Sequence, residues 1–452
     1  MKRLLLASVI VITLALVLLW RLADISPTQL PAATALANGL GAKLMCSGKF
    51  ISGLGQQRLV DDIATYSGLT RAIDYTFSDD SVSASLWGSG PALAKFRPGL
   101  GCTLEYSDHN SLDKITLPAA STIPDAPWPA GSGGQPQDPG MQSLLMEIIA
   151  TDNAAGLDTR ALLVVRDGRI LAEVYGPGID RDTALLGWSM GKSLTAMMIG
   201  RLETMGRIND SEHALFPAWR DDERAAITVK NLLQMSSGLD FSEEYVPGND
   251  STRMLFMSPG AAAVAQQSDL AYAPGTHFSY SSGTTNLLSR LVYERAGGNT
   301  EQLLQFYQDE IATPLALENT WMELDADGVF VGSSYVYATA RDWARFGYVL
   351  LNDGKINGHS IVSPDWIARA VAPNASDNDA RYGYQLWLND GRDERVWPSL
   401  PRTAYAMKGN REQKVLLLPE QDALIVRLGW TAGRYPLDDR AGRILRALEA
   451  RR

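Results

Sequence analysis

Histidine is scarce: four residues in 452, scattered without metal-ligand spacing, which argues against a metal centre. Cysteine is scarcer, with only Cys46 and Cys102, both in the N-terminal quarter. A basic excess is missing too, because 41 Lys and Arg face 51 Asp and Glu, for a net charge of −10. With no cationic surplus to neutralise phosphates, the balance argues against a nucleic-acid partner. The Gly-rich run Gly131-Ser-Gly-Gly134 lacks the Gly-Lys-Ser/Thr ending of a phosphate loop and reads as linker; no cofactor is expected.

What is present is a globular composition, 45% hydrophobic and 20% charged, on a chain longer than one average domain. At the N-terminus, Lys2 and Arg3 precede an uncharged run from Leu4 to Trp20. As a helix that run would span roughly 25 Å at 1.5 Å per residue, close to a bilayer core. No Ala-x-Ala pattern follows closely, so residues 1–22 read as an uncleaved membrane anchor, with a cleaved signal peptide as the alternative. The cationic start stays cytoplasmic, which predicts a single-pass inner-membrane protein with the rest in the periplasm or otherwise exported. In that compartment the Cys46 and Cys102 pair is expected to form a disulfide, the alternative being two buried thiols.

Residues 23–123 form a small N-terminal region in which Lys49–Ser52 and Ala72–Phe77 read as short strands. Residues 124–140, dense in Pro and Gly, read as a linker or extended surface crossing, and residues 141–452 as the main domain. Within it, Ala161–Val165 and Ile170–Tyr175 flank an Asp167-Gly168 turn and predict a hairpin. Lys414–Leu418 and Ala423–Leu428 predict a second, near the end of the chain. Helical stretches lie between, including 191–203, 287–296 and 338–351, and 440–452 reads as a closing helix. Strands at both ends with helices between predict an α+β fold whose antiparallel sheet is assembled from the two termini.

The chemistry centres on Gly187-Trp188-Ser189-Met190-Gly191-Lys192. Read as G-x-S-x-G, it is the nucleophile elbow of an α/β-hydrolase. Read as S-x-x-K, it places Ser189 and Lys192 on one face of a helix, the ammonium beside the hydroxyl. The second reading has the better physics. Residues 182–184 do not read as a strand, no histidine lies beyond His359, and burial by Leu194, Met197, Met198 and Leu202 would disfavour charged lysine and let it act as a base. Tyr280, in a Pro/Gly loop ahead of a helix, can point its hydroxyl into a cleft and relay a proton. Tyr405–Gln413 reads as a strand and tight turn whose backbone N–H groups, with that of Ser189, would form an oxyanion hole. Asp240–Tyr245 reads as a solvated acidic loop.

Several spaced stretches in one order, Trp188–Ser193, Leu232–Leu239, Phe278–Gly283, Ala338–Gly347 and Tyr382–Trp387, resemble the serine β-lactamase and penicillin-binding-protein superfamily. Within its class C branch the chain is most similar to the esterase and 6-aminohexanoate-dimer hydrolase group. The resemblance implies a β-lactamase/transpeptidase-like fold, an antiparallel sheet flanked by helices with an all-helical part. It implies Ser189 as nucleophile, Lys192 as base and Tyr280 as proton relay, with Ser282 in the place of the family's Y-x-N asparagine. The K-T-G triad corresponds to Met407-Lys408-Gly409, which makes Lys408 and Gly409 substrate-binding positions and the Asn410 N–H the second oxyanion donor. Met407 cannot supply the lysine charge that binds a β-lactam carboxylate, which points toward a small-molecule ester or small amide as substrate. Two other readings stand beside this: an α/β-hydrolase esterase, and a catalytically idle penicillin-binding-like envelope protein.

Overall fold

The computed structural model describes residues 28–107, 111–390 and 395–450. The expected anchor over residues 1–22 lies outside them. Among the described residues no helix is long and apolar enough to cross a membrane.

Six antiparallel strands form the central sheet, in the order Trp387–Leu388, Tyr405–Gly409, Gln413–Leu418, Ala423–Gly429, Thr159–Arg166, Arg169–Tyr175. The N- and C-terminal strands of the main domain therefore lie side by side, with Leu163 opposite Val426 and Val165 opposite Leu424. Both hairpins close as their turn residues dictate. Asp167 and Gly168 both take positive φ, 50° and 68°, the two left-handed positions that a type I′ turn requires. Both faces are covered, which is why these strands are continuously apolar rather than alternating. Leu162, Val164, Leu416 and Ile425 pack on one side against Met141, Leu145, Ile444 and Leu448 of the helices Pro139–Ala154 and Leu437–Glu449. Leu163, Val165, Val415 and Val426 face the helical body, where Trp343 and Phe346 belong to the helix Ala340–Leu351.

The N-terminal region is a four-stranded antiparallel meander, residues 73–104, packed on the helix Leu30–Phe50. Lys49 and Phe50, expected in a strand, instead finish that helix, and Ile51 and Ser52 form a turn. The buried stretch Gly41–Gly48 ahead of them holds the backbone helical, so tertiary packing overrides the local β-like pattern. Cys46 and Cys102 are joined, with a Cα–Cα distance of 6.1 Å, tying the helix to the fourth strand. This region shares a core with the main domain. Glu323, fully buried, accepts from Lys43 Nζ at 2.5 Å, Ser47 Oγ at 2.8 Å and the Cys102 N–H at 2.6 Å. A buried carboxylate needs such partners, and here they come from across the junction.

The Pro/Gly-dense stretch 124–138 forms no helix and no extended strand, and Pro139 and Gly140 open the helix that follows. It straps onto the body: Trp128 is buried, and Arg345 donates to the Pro129 and Gly131 carbonyls.

Candidate active site

Ser189 sits in a single 3₁₀ turn, Trp188–Met190, that runs directly into the helix Gly191–Thr204. That helix is buried on every side, from Gly191 through Gly200, and packs against the helix Ser282–Ala296. The turn is strained, since Trp188 has φ 49°, a conformation costing of order 1–3 kcal/mol. Its indole is held among Tyr66, Tyr335 and Trp430, with ring centroids 6.2–6.4 Å away. Gly187, which gives the segment its elbow-like spacing, is needed for close packing: a Cβ there would lie 2.1 Å from Trp343. The strand before it has only two residues, Leu185–Leu186, and belongs to a separate three-stranded antiparallel sheet. The nucleophile-elbow alternative requires a parallel α/β sheet and a histidine partner. The central sheet is antiparallel, and the side chains hydrogen-bonded to Ser189 are those of Lys192 and Tyr280.

Lys192, one helical turn on from Ser189, is 1% exposed. Its Nζ lies 3.0 Å from Ser189 Oγ, 2.9 Å from Ser282 Oγ and 3.0 Å from the Ser333 carbonyl. Burial lowers its pKa to about 8, against a smaller raising effect of the Glu243 charge. The loop ahead of the second helix distributes its three residues by role. Tyr280 turns its ring to Lys192, 5.0 Å from ring centroid to Nζ. Ser281 caps the helix, its Oγ accepting from Thr284 N–H at 3.1 Å, and Ser282 reaches Lys192. Burial pushes the Tyr280 phenol well above its ordinary pKa, the Glu243 charge adds to this, and a hydrogen bond with the Ser189 side chain opposes it. Tyr280 stands in an aromatic wall with Tyr382 and Trp387, ring centroids 5.0–6.0 Å apart.

The remaining expected site residues lie on the Tyr405–Gly409 strand. The short strand Trp387–Leu388 pairs with its Ala406 and Tyr405, so among the described residues the far half of this strand has an open edge. That edge abuts the Ser189 turn, and a Cβ on Gly409 would lie 2.1 Å from the Gly187 carbonyl oxygen. Only glycine permits the approach. Asn410 follows, exposed, its side chain accepting from the Arg411 N–H. Lys408 does not join the Ser189 cluster; its Nζ lies over the Trp387 ring at 4.3 Å, and burial lowers its pKa. Met407 is fully buried, facing the core with Val415.

Two residues escaped sequence reasoning. Glu243, expected in a solvated loop, turns inward: Oε2 accepts from the Ser282 N–H at 2.7 Å, and Oε1 from Ser282 Oγ at 2.6 Å. The loop is pinned there by the Leu239–Leu270 bridge and the bond from Asp240 N–H to the Asp269 carbonyl, 2.8 Å. Tyr245, two residues on, donates its hydroxyl to Glu243 at 3.0 Å. The second is Tyr66, contributed by the N-terminal region, which packs edge-on to Trp188 and carries the Arg411 guanidinium 3.8 Å over its ring. Nothing in the local sequence marks Tyr66. For Glu243 the available signal was the acidic stretch Asp240–Tyr245 that follows Ser236-Ser237-Gly238.

Residues 147–451 match the family model described as Beta-lactamase. The chain is 28% identical over 294 residues to a 6-aminohexanoate-dimer hydrolase of Paenarthrobacter ureafaciens, covering 60% of this chain and 72% of that protein. Its fold is similar to that of EstCE1, a hydrolase with promiscuous acyltransferase activity, with TM-score 0.56, 18% identity, and 68% of this chain and 99% of that one covered. It is similar also to a penicillin-binding-protein homologue from Caulobacter crescentus, with TM-score 0.54, 17% identity, and coverage of 70% and 99%.

Proposed function

From membership of the beta-lactamase family, to which this chain belongs, we propose that it is a serine hydrolase that forms an acyl-enzyme on Ser189 and hydrolyses an ester or small amide. The observation that carries the reading is the 3.0 Å contact between Ser189 Oγ and the buried Nζ of Lys192, whose pKa is depressed to about 8. Neutral Lys192 takes the Ser189 proton as Oγ attacks the carbonyl carbon. The N–H groups of Ser189 and Asn410 hold the developing oxyanion, supported by the contact of Gly409 with Gly187. Tyr280 passes a proton to the leaving group, and water then releases the acyl group by the reverse traffic. The aromatic wall of Tyr280, Tyr382 and Trp387 suits an apolar group on the substrate, and the relatives named as a 6-aminohexanoate-dimer hydrolase and a hydrolase with acyltransferase activity support acyl transfer. Met407, buried in the core, presents no charge to a β-lactam carboxylate, so penicillins are poor substrates in this reading.

The disulfide between Cys46 and Cys102 supports an exported protein. The further proposal is a periplasmic hydrolase domain over 141–452, carried with the 23–123 region behind an inner-membrane anchor at 1–22. The test of function is labelling by a fluorophosphonate probe, together with turnover of p-nitrophenyl butyrate and a penicillin. Labelling and ester turnover that vanish in Ser189→Ala are expected. Retained turnover in that variant, or faster turnover of the penicillin, refutes the assignment.

A further inference from the structure

Resting on Ser189 as nucleophile and Lys192 as its base, we propose that Glu243 primes the base by taking its proton through Ser282. The argument begins with a difficulty in the site itself. Lys192 meets three acceptors at 2.9–3.0 Å, Ser189 Oγ, Ser282 Oγ and the Ser333 carbonyl, which suits an ammonium with its three protons. An ammonium cannot act as a base. It has to lose a proton first, and Lys192 is 1% exposed, so water does not reach it freely.

Ser282 offers the route. Its Oγ accepts from Lys192 at 2.9 Å and donates to Glu243 Oε1 at 2.6 Å, so one hydroxyl joins cation to carboxylate. If the Lys192 N–H bond breaks as an O–H bond forms on Ser282, the original Ser282 proton passes to Oε1. The result is a neutral amine and a neutral carboxylic acid. One proton has moved along two hydrogen bonds, with no change in net charge and no solvent. The transfer leaves Lys192, the fully buried partner, uncharged, and its ammonium is the form that burial disfavours. Glu243 touches no reacting atom; it is a positioning residue that acts through Ser282 and Lys192. Its second oxygen is fixed by the Ser282 N–H at 2.7 Å, which sets the carboxylate plane toward the hydroxyl.

The other titratable groups around this chain stay in one form across neutral pH. Tyr245 on the same loop, Tyr280 ahead of the helix and Tyr382 across the cleft are all raised by burial, with the Glu243 charge contributing to each. They remain neutral phenols. Lys408 lies over the Trp387 ring, outside the hydrogen-bonded chain.

The measurement is the fluorophosphonate labelling rate of Ser189 against pH in the full protein and in Glu243→Gln, Glu243→Asp and Ser282→Ala. On the acid side of the Lys192 titration the relay supplies neutral Lys192 from within the pair, so the wild-type rate should stop falling and level off to a pH-independent floor. In Glu243→Gln the proton must leave to solvent. Its rate should then fall tenfold per pH unit below a midpoint lying under about 8, because the raising carboxylate is gone. Ser282→Ala should show the same slope, and Glu243→Asp should restore a flat limb. A merely structural role for Glu243 would lower the rate by one factor at every pH. Parallel profiles in wild type and Glu243→Gln therefore overturn the relay, as does a wild-type rate that keeps falling tenfold per unit without reaching a floor, which needs no variant to fold. Absence of wild-type labelling at every pH overturns the nucleophile assignment instead, and the relay with it.

Discussion

Replacing Lys192 with methionine, which matches its length without the amine, should separate catalysis from stability. At pH 7 a lysine of ordinary pKa 10.5 is neutral about once in 3,000 molecules, whereas one at about 8 is neutral roughly once in ten. Burial thus raises the basic form some 300-fold, within the roughly 10²–10⁴ range of a general base. Lys192→Met should lose that, and ester kcat/KM should fall by about 10²–10⁴. Stability moves differently. A folded-state pKa below the unfolded value means that folding penalises the ammonium at every pH below about 8, by about 3 kcal/mol for the shift seen here, and that the penalty fades as pH rises toward 10.5. Methionine removes the penalty and gives up three hydrogen bonds worth about 1 kcal/mol each. The two nearly cancel. Thermal unfolding at pH 7 should therefore shift by only a few degrees while activity disappears. A variant that keeps a tenth of wild-type kcat/KM would refute the base assignment, and one that is unfolded at room temperature would refute the energetic argument.

Two other outcomes follow from the junction with the N-terminal region. Cys46→Ser with Cys102→Ser opens a loop of 56-residue sequence separation and should lower stability by up to about 4 kcal/mol, read by denaturant unfolding with and without reductant; equal curves would contradict it. Tyr66→Ala removes one wall around Trp188 and the ring beneath Arg411, and should slow Ser189 labelling about tenfold or more, while Tyr66→Phe keeps the wall and should label normally.

The sheet was legible because its signals are local. An Asp-Gly turn between two apolar runs specifies a hairpin wherever the runs end up, and the two positive φ values at Asp167 and Gly168 are that requirement met. Ser189 and Lys192 were legible for the same reason, since a spacing of three on a helix brings two side chains together without help from the rest of the chain. Tyr280 and Ser282 needed more than spacing, and only the order of several motifs singled them out. The Lys49–Ser52 strand failed because the helix from Leu30 buries Gly41–Gly48 against the body, an effect no four-residue window contains.

Glu243 marks where local reasoning stops. Its neighbours Asp240 and Glu244 are exposed while Glu243 is half-buried, and by composition the segment is an acidic loop. What makes one carboxylate different is a fold-level event: the Leu239–Leu270 bridge and the Ser282 N–H, 39 residues away, turn that side chain inward. Once there it is partnered by a hydroxyl that also touches the only ammonium bonded to Ser189 among the described residues. A buried base beside a partly buried acid is best accommodated when hydrogen bonds join them, and here a single serine does so. The proposed relay gives a reason for serine at position 282, where the family resemblance leads one to expect asparagine. An amide can bridge a lysine and a carboxylate, but it cannot accept a proton at one atom and release one from the same atom, whereas the Ser282 hydroxyl can. In the proposed relay the serine at 282 and the inward carboxylate of Glu243 are two parts of one arrangement.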